Sequence, residues 1–196
     1  NPNGKFAPLH KFNPVRQEYL IDQISNHFNL NLDEDKPFKN LKILDVGCGG
    51  GLLCEPLSRL GANVTGIDAA KTNIEVAKIH MEQSGLDINY LNKKPEDIEN
   101  KLYDVVLCME IIEHVEDVNF FIQSCINLLK PNGLIFFATL NKTIKSYVLA
   151  IIGAEYILRW LPIGTHEWDK FISPNDIINK VSKYFLTHVE TKGVTF

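Results

Sequence analysis

Positive charge is not in excess in this chain. Its 196 residues hold 20 Lys and Arg against 24 Asp and Glu, a formal net charge of −4 at pH 7. That balance gives no general attraction to a phosphate backbone and disfavours DNA or RNA as a partner. Cysteine is scarce too. Cys48, Cys54, Cys108 and Cys125 form no C-x-x-C pair, which removes any argument for a cysteine framework. Three of them fall in or beside apolar strand or helix patterns and read as reduced core thiols of a cytosol-like compartment. No run of eighteen apolar residues appears, so no segment has membrane-spanning length. There is no internal repeat and no low-complexity segment. The opening N-P-N-G-K-F resembles neither a signal peptide nor a transit peptide. The missing initiating Met, and an end at Val194-Thr195-Phe196 that reads as the middle of an element, lead us to expect a piece of a longer chain.

What is present is a core-forming composition, 45% hydrophobic and 22% charged, the range of one soluble domain. We read residues 1–196 as that single domain: an N-terminal helix region at 1–40, a core at 41–140, an apolar insertion at 141–172 and a final helix and strand at 173–196. Asn13-Pro14 has the form of a helix opening, with Asn capping and Pro at the first position. Val15, Tyr19, Leu20, Ile24 and Phe28 then follow at helical spacing. From Leu41 strands and helices alternate. The strands are expected at 42–46, 63–67, 88–91, 103–109 and 134–139, and the helices at 52–60, 72–84 and 118–129. This rhythm predicts an α/β fold, a mostly parallel sheet with helices on both faces. Lys130-Pro131-Asn132-Gly133 reads as a helix stop, Ser173-Pro174-Asn175-Asp176 as a capped helix start, and 185–190 as a strand.

The core is organised around I-L-D-V-G-C-G-G-G-L-L-C-E at Ile43–Glu55. An apolar strand runs into a glycine turn and then a helix, which lets backbone approach a ligand at the carboxyl end of a parallel strand. The dinucleotide pattern G-x-G-x-x-G is not met, because Leu52 stands where its third glycine belongs. Asp45, two residues ahead of Gly47, would repel a pyrophosphate and attract a cationic ligand carrying an ammonium and a sulfonium. The pattern therefore favours S-adenosylmethionine (SAM) over a nicotinamide dinucleotide, with Gly47 and Gly49 in the turn. Asp68 ends the second strand, where an acid can accept hydrogen bonds from ribose hydroxyls of either ligand.

These residues resemble the class I SAM-dependent methyltransferases, which have a Rossmann-like fold. Several stretches look closer still to the ubiquinone-biosynthesis O-methyltransferases: H-K-F-N-P-V-R at His10–Arg16, L-D-V-G-C-G-G-G-L-L at Leu44–Leu53, V-T-G-I-D at Val64–Asp68 and C-M-E-I-I-E-H-V at Cys108–Val115. T-L-N-K-T at Thr139–Thr143, G-A-E-Y-I-L-R at Gly153–Arg159 and G-T-H-E-W-D-K-F-I-S-P at Gly164–Pro174 extend the likeness over nearly the whole chain. The resemblance implies that Arg16, Gly47, Asp68 and Met109 contact the cofactor, Arg16 through its carboxylate. It also implies a phenolic substrate with a polyprenyl tail and a place in ubiquinone biosynthesis, in company with other members of such a complex.

Glu110, Glu113 and His114 follow the fourth strand at i, i+3 and i+4. If the chain turns helical at Glu110, the three share a face and suit a divalent cation such as Mg²⁺, Mn²⁺ or Zn²⁺. Such a metal would chelate a catechol and lower its phenol pKa. The alternatives are amide capping by a glutamate and a general-base role for His114. Lys142 and His166 are weaker candidates beside the substrate. The segment 147–161 is apolar, is interrupted by Gly153, Glu155 and Arg159, and carries Tyr147, Tyr156 and Trp160. It reads as a lid or an amphipathic helix at a membrane surface. We expect a bacterial cytoplasmic protein peripheral to the inner membrane, or a mitochondrial matrix protein. The competing functional expectations are a small-molecule methyltransferase of another pathway and a non-catalytic cofactor-binding scaffold.

Overall fold

The computed structural model describes residues 7–99, 101–139 and 172–193, with side chains from Asn13 onward. The strands are β1 (Lys42–Val46), β2 (Asn63–Ile67), β3 (Asn89–Leu91), β4 (Tyr103–Met109) and β5 (Leu129–Ala138). The helices are α1 (Ala7–Phe28), α2 (Cys54–Arg59), α3 (Lys71–Ser84), α4 (Val118–Asn127) and α5 (Pro174–Val181). The strands form one parallel sheet in the order β3-β2-β1-β4-β5. The order reverses between β1 and β4, which opens a crevice at their carboxyl ends where such sheets bind ligands.

Alternate residues of each strand feed two apolar cores, as the pleat requires. Ile43, Val64, Val105 and Leu107 pack with Leu20 and Ile24 of α1, Leu57 of α2, and Ile74 and Ala77 of α3. Leu44, Val46, Ile67, Val106 and Cys108 face the other way, onto Phe121, Ile122 and Cys125 of α4 and Ile177 of α5. Both faces of the sheet are covered, and the α/β expectation stands.

Four local expectations are corrected. The first helix does not open at Asn13-Pro14; α1 begins at Ala7 and carries Pro14 inside it. Asn13 is a tether there, donating through Nδ2 to the Leu52 carbonyl at 3.2 Å. The second helix is shorter than 52–60, because the glycine turn runs on to Leu53. β5 starts at Leu129 and takes in the expected helix stop as an irregularity, since Tyr103 pairs with Leu129 and Val105 already with Leu134. Lys130 anchors that bulge with Nζ 2.9 Å from both Asp104 oxygens, and Asn132 takes the left-handed φ of 61° that the detour needs. Finally, residues 185–190 form no strand. Phe185 is left-handed and wholly exposed, so the apolar pattern meets no sheet edge there. The cap at Ser173 is as expected, its Oγ accepting the Asp176 amide at 3.2 Å.

Candidate active site

Backbone hydrogen bonds shape the start of the glycine turn. The amides of Gly47 and Cys48 both donate to the Ile67 carbonyl, at 2.8 and 3.0 Å, and the Gly51 amide to the Cys48 carbonyl at 2.9 Å. Gly47, Gly49 and Gly51 have φ of 74°, 54° and 86°, which side chains rarely adopt. A Cβ on Gly47 would press on Ile111 at 2.8 Å, and one on Gly51 would collide with the Tyr90 hydroxyl. Gly49 differs: nothing lies within 4 Å of where its Cβ would be. The turn is packed from beneath by protein and open at Gly49, the form of a cradle for a ligand brought against backbone.

Asp68 borders that opening. Its Oδ2 accepts the Gly49 amide at 3.0 Å and the Asn73 Nδ2 at 3.2 Å, and its Oδ1 accepts the Ala70 amide at 2.8 Å. Asn92, just past β3, donates to the carbonyls of Asp68 and Ala69 at 2.9 Å each. Asn73 is exposed, so a ribose hydroxyl can take its place on the carboxylate.

Asp45 lies under the turn and is 3% exposed. Its Oδ2 accepts the Cys54 thiol at 3.2 Å. Burial pushes its carboxyl up to about 6; the thiol and the Arg16 charge oppose that rise, and the Asp68 charge adds to it. A cation above the turn would favour its ionised form.

Arg16 reaches the same edge from α1. It is 8% exposed, with Nη1 3.1 Å from Glu110 Oε1 and Nη2 3.3 Å from Asn13 Oδ1. Gln17 adds a second tie from α1 to the turn, donating to the Leu52 carbonyl at 3.4 Å. Met109 closes β4 opposite Ala138 and packs partly buried on the α1 side of the sheet. Arg16, Asp45, Gly47, Gly49, Asp68 and Met109 thus gather at the carboxyl ends of β1, β2 and β4.

The metal expectation depended on a helix from Glu110, and that helix is not there. Glu110 is left-handed with φ 56°, and a 3-10 turn occupies Ile112–His114. Glu110 points to Arg16, Glu113 is 5% exposed, and His114 is exposed. Among the described residues no three His, Cys, Asp or Glu side chains converge on one ion. Among the described residues these donors do not assemble a metal site, and no step is routed through a metal. A groove of about 590 Å³ between Pro95–Leu102 and α4 lies at the amino ends of β4 and β5 and holds none of the expected site residues.

Asn13, Gln17, Asn73, Asn92 and Tyr90 carry roles that sequence reasoning missed. Asn13 carries the local signal of a helix cap, and Tyr90 has the pattern of an ordinary core residue. Lys142, His166 and the segment 147–161 lie outside the described residues.

Comparison with known proteins gives a consistent picture. A family model described as a methyltransferase domain matches residues 44–137. The chain is 55% identical over 197 residues to the ubiquinone biosynthesis O-methyltransferase of Pelagibacter ubique, covering all of this chain and 82% of that one. It is 54% identical over 198 residues to the protein of that name from Bartonella tribocorum, covering 80% of it. Among solved structures, the plantazolicin methyltransferase BpumL in complex with SAH superposes with a TM-score of 0.60 at 21% identity, over 74% of this chain and 55% of that one. A putative sarcosine dimethylglycine methyltransferase from Galdieria sulphuraria gives 0.63 at 20% identity, over 86% and 60%. At such identities these structures speak for the fold.

Proposed function

The chain belongs to the ubiquinone biosynthesis O-methyltransferase family, and we propose that it moves a methyl group from SAM to a phenolic hydroxyl of a polyprenylated, catechol-type precursor of ubiquinone. The observation that carries this reading is the turn open at Gly49 with Asp68 bonded beside it and Arg16 across the crevice. Those three features match a ligand with a ribose diol at one end and a carboxylate at the other.

SAM supplies an electrophilic methyl group on a positively charged sulfur. The residues around it do the rest. Asp68 receives the ribose hydroxyls in exchange for Asn73. Arg16 holds the carboxylate by a charge-assisted bond. The ionised Asp45, buried below the turn, offsets the cationic end of the donor. Met109, partly buried at the end of β4, would offer apolar surface to the bound donor. SAM bound here would supply a methyl group whose S–C bond breaks as the O–C bond to the phenolic oxygen forms, leaving S-adenosylhomocysteine and a phenol proton that needs an acceptor. We assign that proton to His114, an exposed imidazole on the turn after β4, because imidazole accepts protons near neutral pH.

The hydrophobic tail of the acceptor gives a reason for peripheral membrane contact through residues 147–161, from the cytoplasmic side of a bacterial inner membrane. The composition of that segment supports this contact. Co-sedimentation with liposomes tests it: no binding, or binding that Leu158→Asp and Trp160→Asp do not weaken, counts against it.

The whole reading is tested by incubating the protein with methyl-labelled SAM and a short-chain catechol analogue. Labelled methyl ether is the expected product. Donor binding with no methylated catechol would point to another acceptor or to a cofactor-binding scaffold.

A further inference from the structure

Glu110 sits at the point where the sheet order reverses, in a backbone conformation that costs a non-glycine residue free energy. Two contacts fix it there. Its amide donates to the Ala138 carbonyl at 2.8 Å, which ties it to the end of β5. Its Oε1 lies 3.1 Å from Arg16 Nη1, which ties it to α1. Arg16 is a buried cation, and a buried guanidinium is tolerated only where anions and acceptors meet it. Glu110, one third exposed, supplies a carboxylate to it. Asn13 adds a further tie, accepting from Arg16 Nη2 while donating to the Leu52 carbonyl at the far end of the glycine turn. The guanidinium is therefore suspended between the turn after β1 and the end of β4, with its position set from both sides.

We propose that Glu110 is a positioning residue for the methyl donor, holding Arg16 in the place where the donor's own carboxylate is received. This rests on the reading of the crevice as a SAM site. The left-handed turn at Glu110 is the device that brings a carboxylate at the end of β4 back toward α1. Glu110 acts through Arg16 and touches neither the reacting sulfur nor the phenol.

The test is calorimetric binding of two ligands to the full chain and its variants. S-Adenosylhomocysteine carries the amino-acid carboxylate, and 5′-methylthioadenosine lacks it. Glu110→Gln removes the charge and keeps the shape. Glu110→Gly removes the side chain and suits the positive φ, so it keeps the comparison valid if the Gln variant folds poorly. Both substitutions are expected to weaken S-adenosylhomocysteine about tenfold and to leave methylthioadenosine within about twofold. In an Arg16→Met background Glu110→Gln is expected to add nothing. Equal weakening of both ligands, no change in either, or tighter binding of S-adenosylhomocysteine would overturn the proposal. Failure of the unmodified protein to bind S-adenosylhomocysteine would overturn the donor-site reading itself, and this inference with it.

Discussion

Asp68 Oδ2 accepts the amide of Gly49 at 3.0 Å, joining the end of β2 to the turn that follows β1. The acid expected to hold ribose is also a strut of the cradle. Asn in its place keeps one acceptor oxygen, so either the Ala70 bond or the pair to Gly49 and Asn73 is lost. Asp68→Asn is expected to cost about 1–2 kcal/mol of stability and to weaken donor binding by more than tenfold. Denaturant unfolding and calorimetry check the two effects separately. Loss of binding with unchanged stability would mean the strut is immaterial.

The glycines of the turn are not equivalent. Gly49→Ala meets open space and only the strain of φ 54°, roughly 1 kcal/mol, so the variant should fold and lose donor affinity through crowding of the ligand. Gly51→Ala strikes the Tyr90 hydroxyl and should destabilise more strongly. Adding Tyr90→Phe to Gly51→Ala removes the nearest obstructing atom, and thermal melts should show partial recovery. No recovery would mean that backbone strain alone is responsible.

Asp45 makes a signed prediction for pH. Its carboxyl stands near 6 in the folded chain against 3.8 as its ordinary value, chiefly through burial. The folded state therefore holds the proton more tightly than the unfolded one. The resulting penalty is absent below about pH 4, grows between about 4 and 6, and is complete above, on the order of 3 kcal/mol. Relative to Asp45→Asn, the donor-free protein should lose stability across that window as pH rises. Urea unfolding at pH 4, 5, 6 and 7.5 measures the difference, and a flat or rising difference would contradict the assignment.

Glu113 and His114 should also part company. Glu113→Ala empties a core position and should cost about 1–3 kcal/mol, whereas His114→Ala, at an exposed position, should cost less. If His114 accepts the phenol proton, its variant lowers kcat for the catechol analogue while donor affinity is preserved. Equal stability losses in both variants would show that the two side chains share one environment after all.

The strands that frame the site were legible because each is a short apolar run bounded by turn chemistry. β1, β2 and β4 lie where the sequence predicts them. The glycine turn and Asp68 were legible because their spacing is local. What was not legible depends on partners remote in sequence. Pro14 sits inside α1 because the helix packs on the sheet and is tied at Asn13 to Leu52, a contact no local cap rule contains. Glu110 reads as the start of a helix until Ala138 and Arg16 are known to hold it left-handed. The Phe185–Glu190 pattern is strand-like by composition, yet a strand needs an edge to pair with, and composition does not supply one.

The reversal of strand order between β1 and β4 also bears on how the protein folds. Ile43 pairs with Val105, so this junction closes only after the intervening β2 and β3 segments have been gathered into a long loop. Closing such a loop is slow, and its entropy is repaid only when the pairing is complete. The donor crevice therefore exists in no early intermediate that lacks β4. A ligand that fits it should slow global unfolding of the sheet more than local opening of the turn, and hydrogen exchange at Val105 and Val106 would record it.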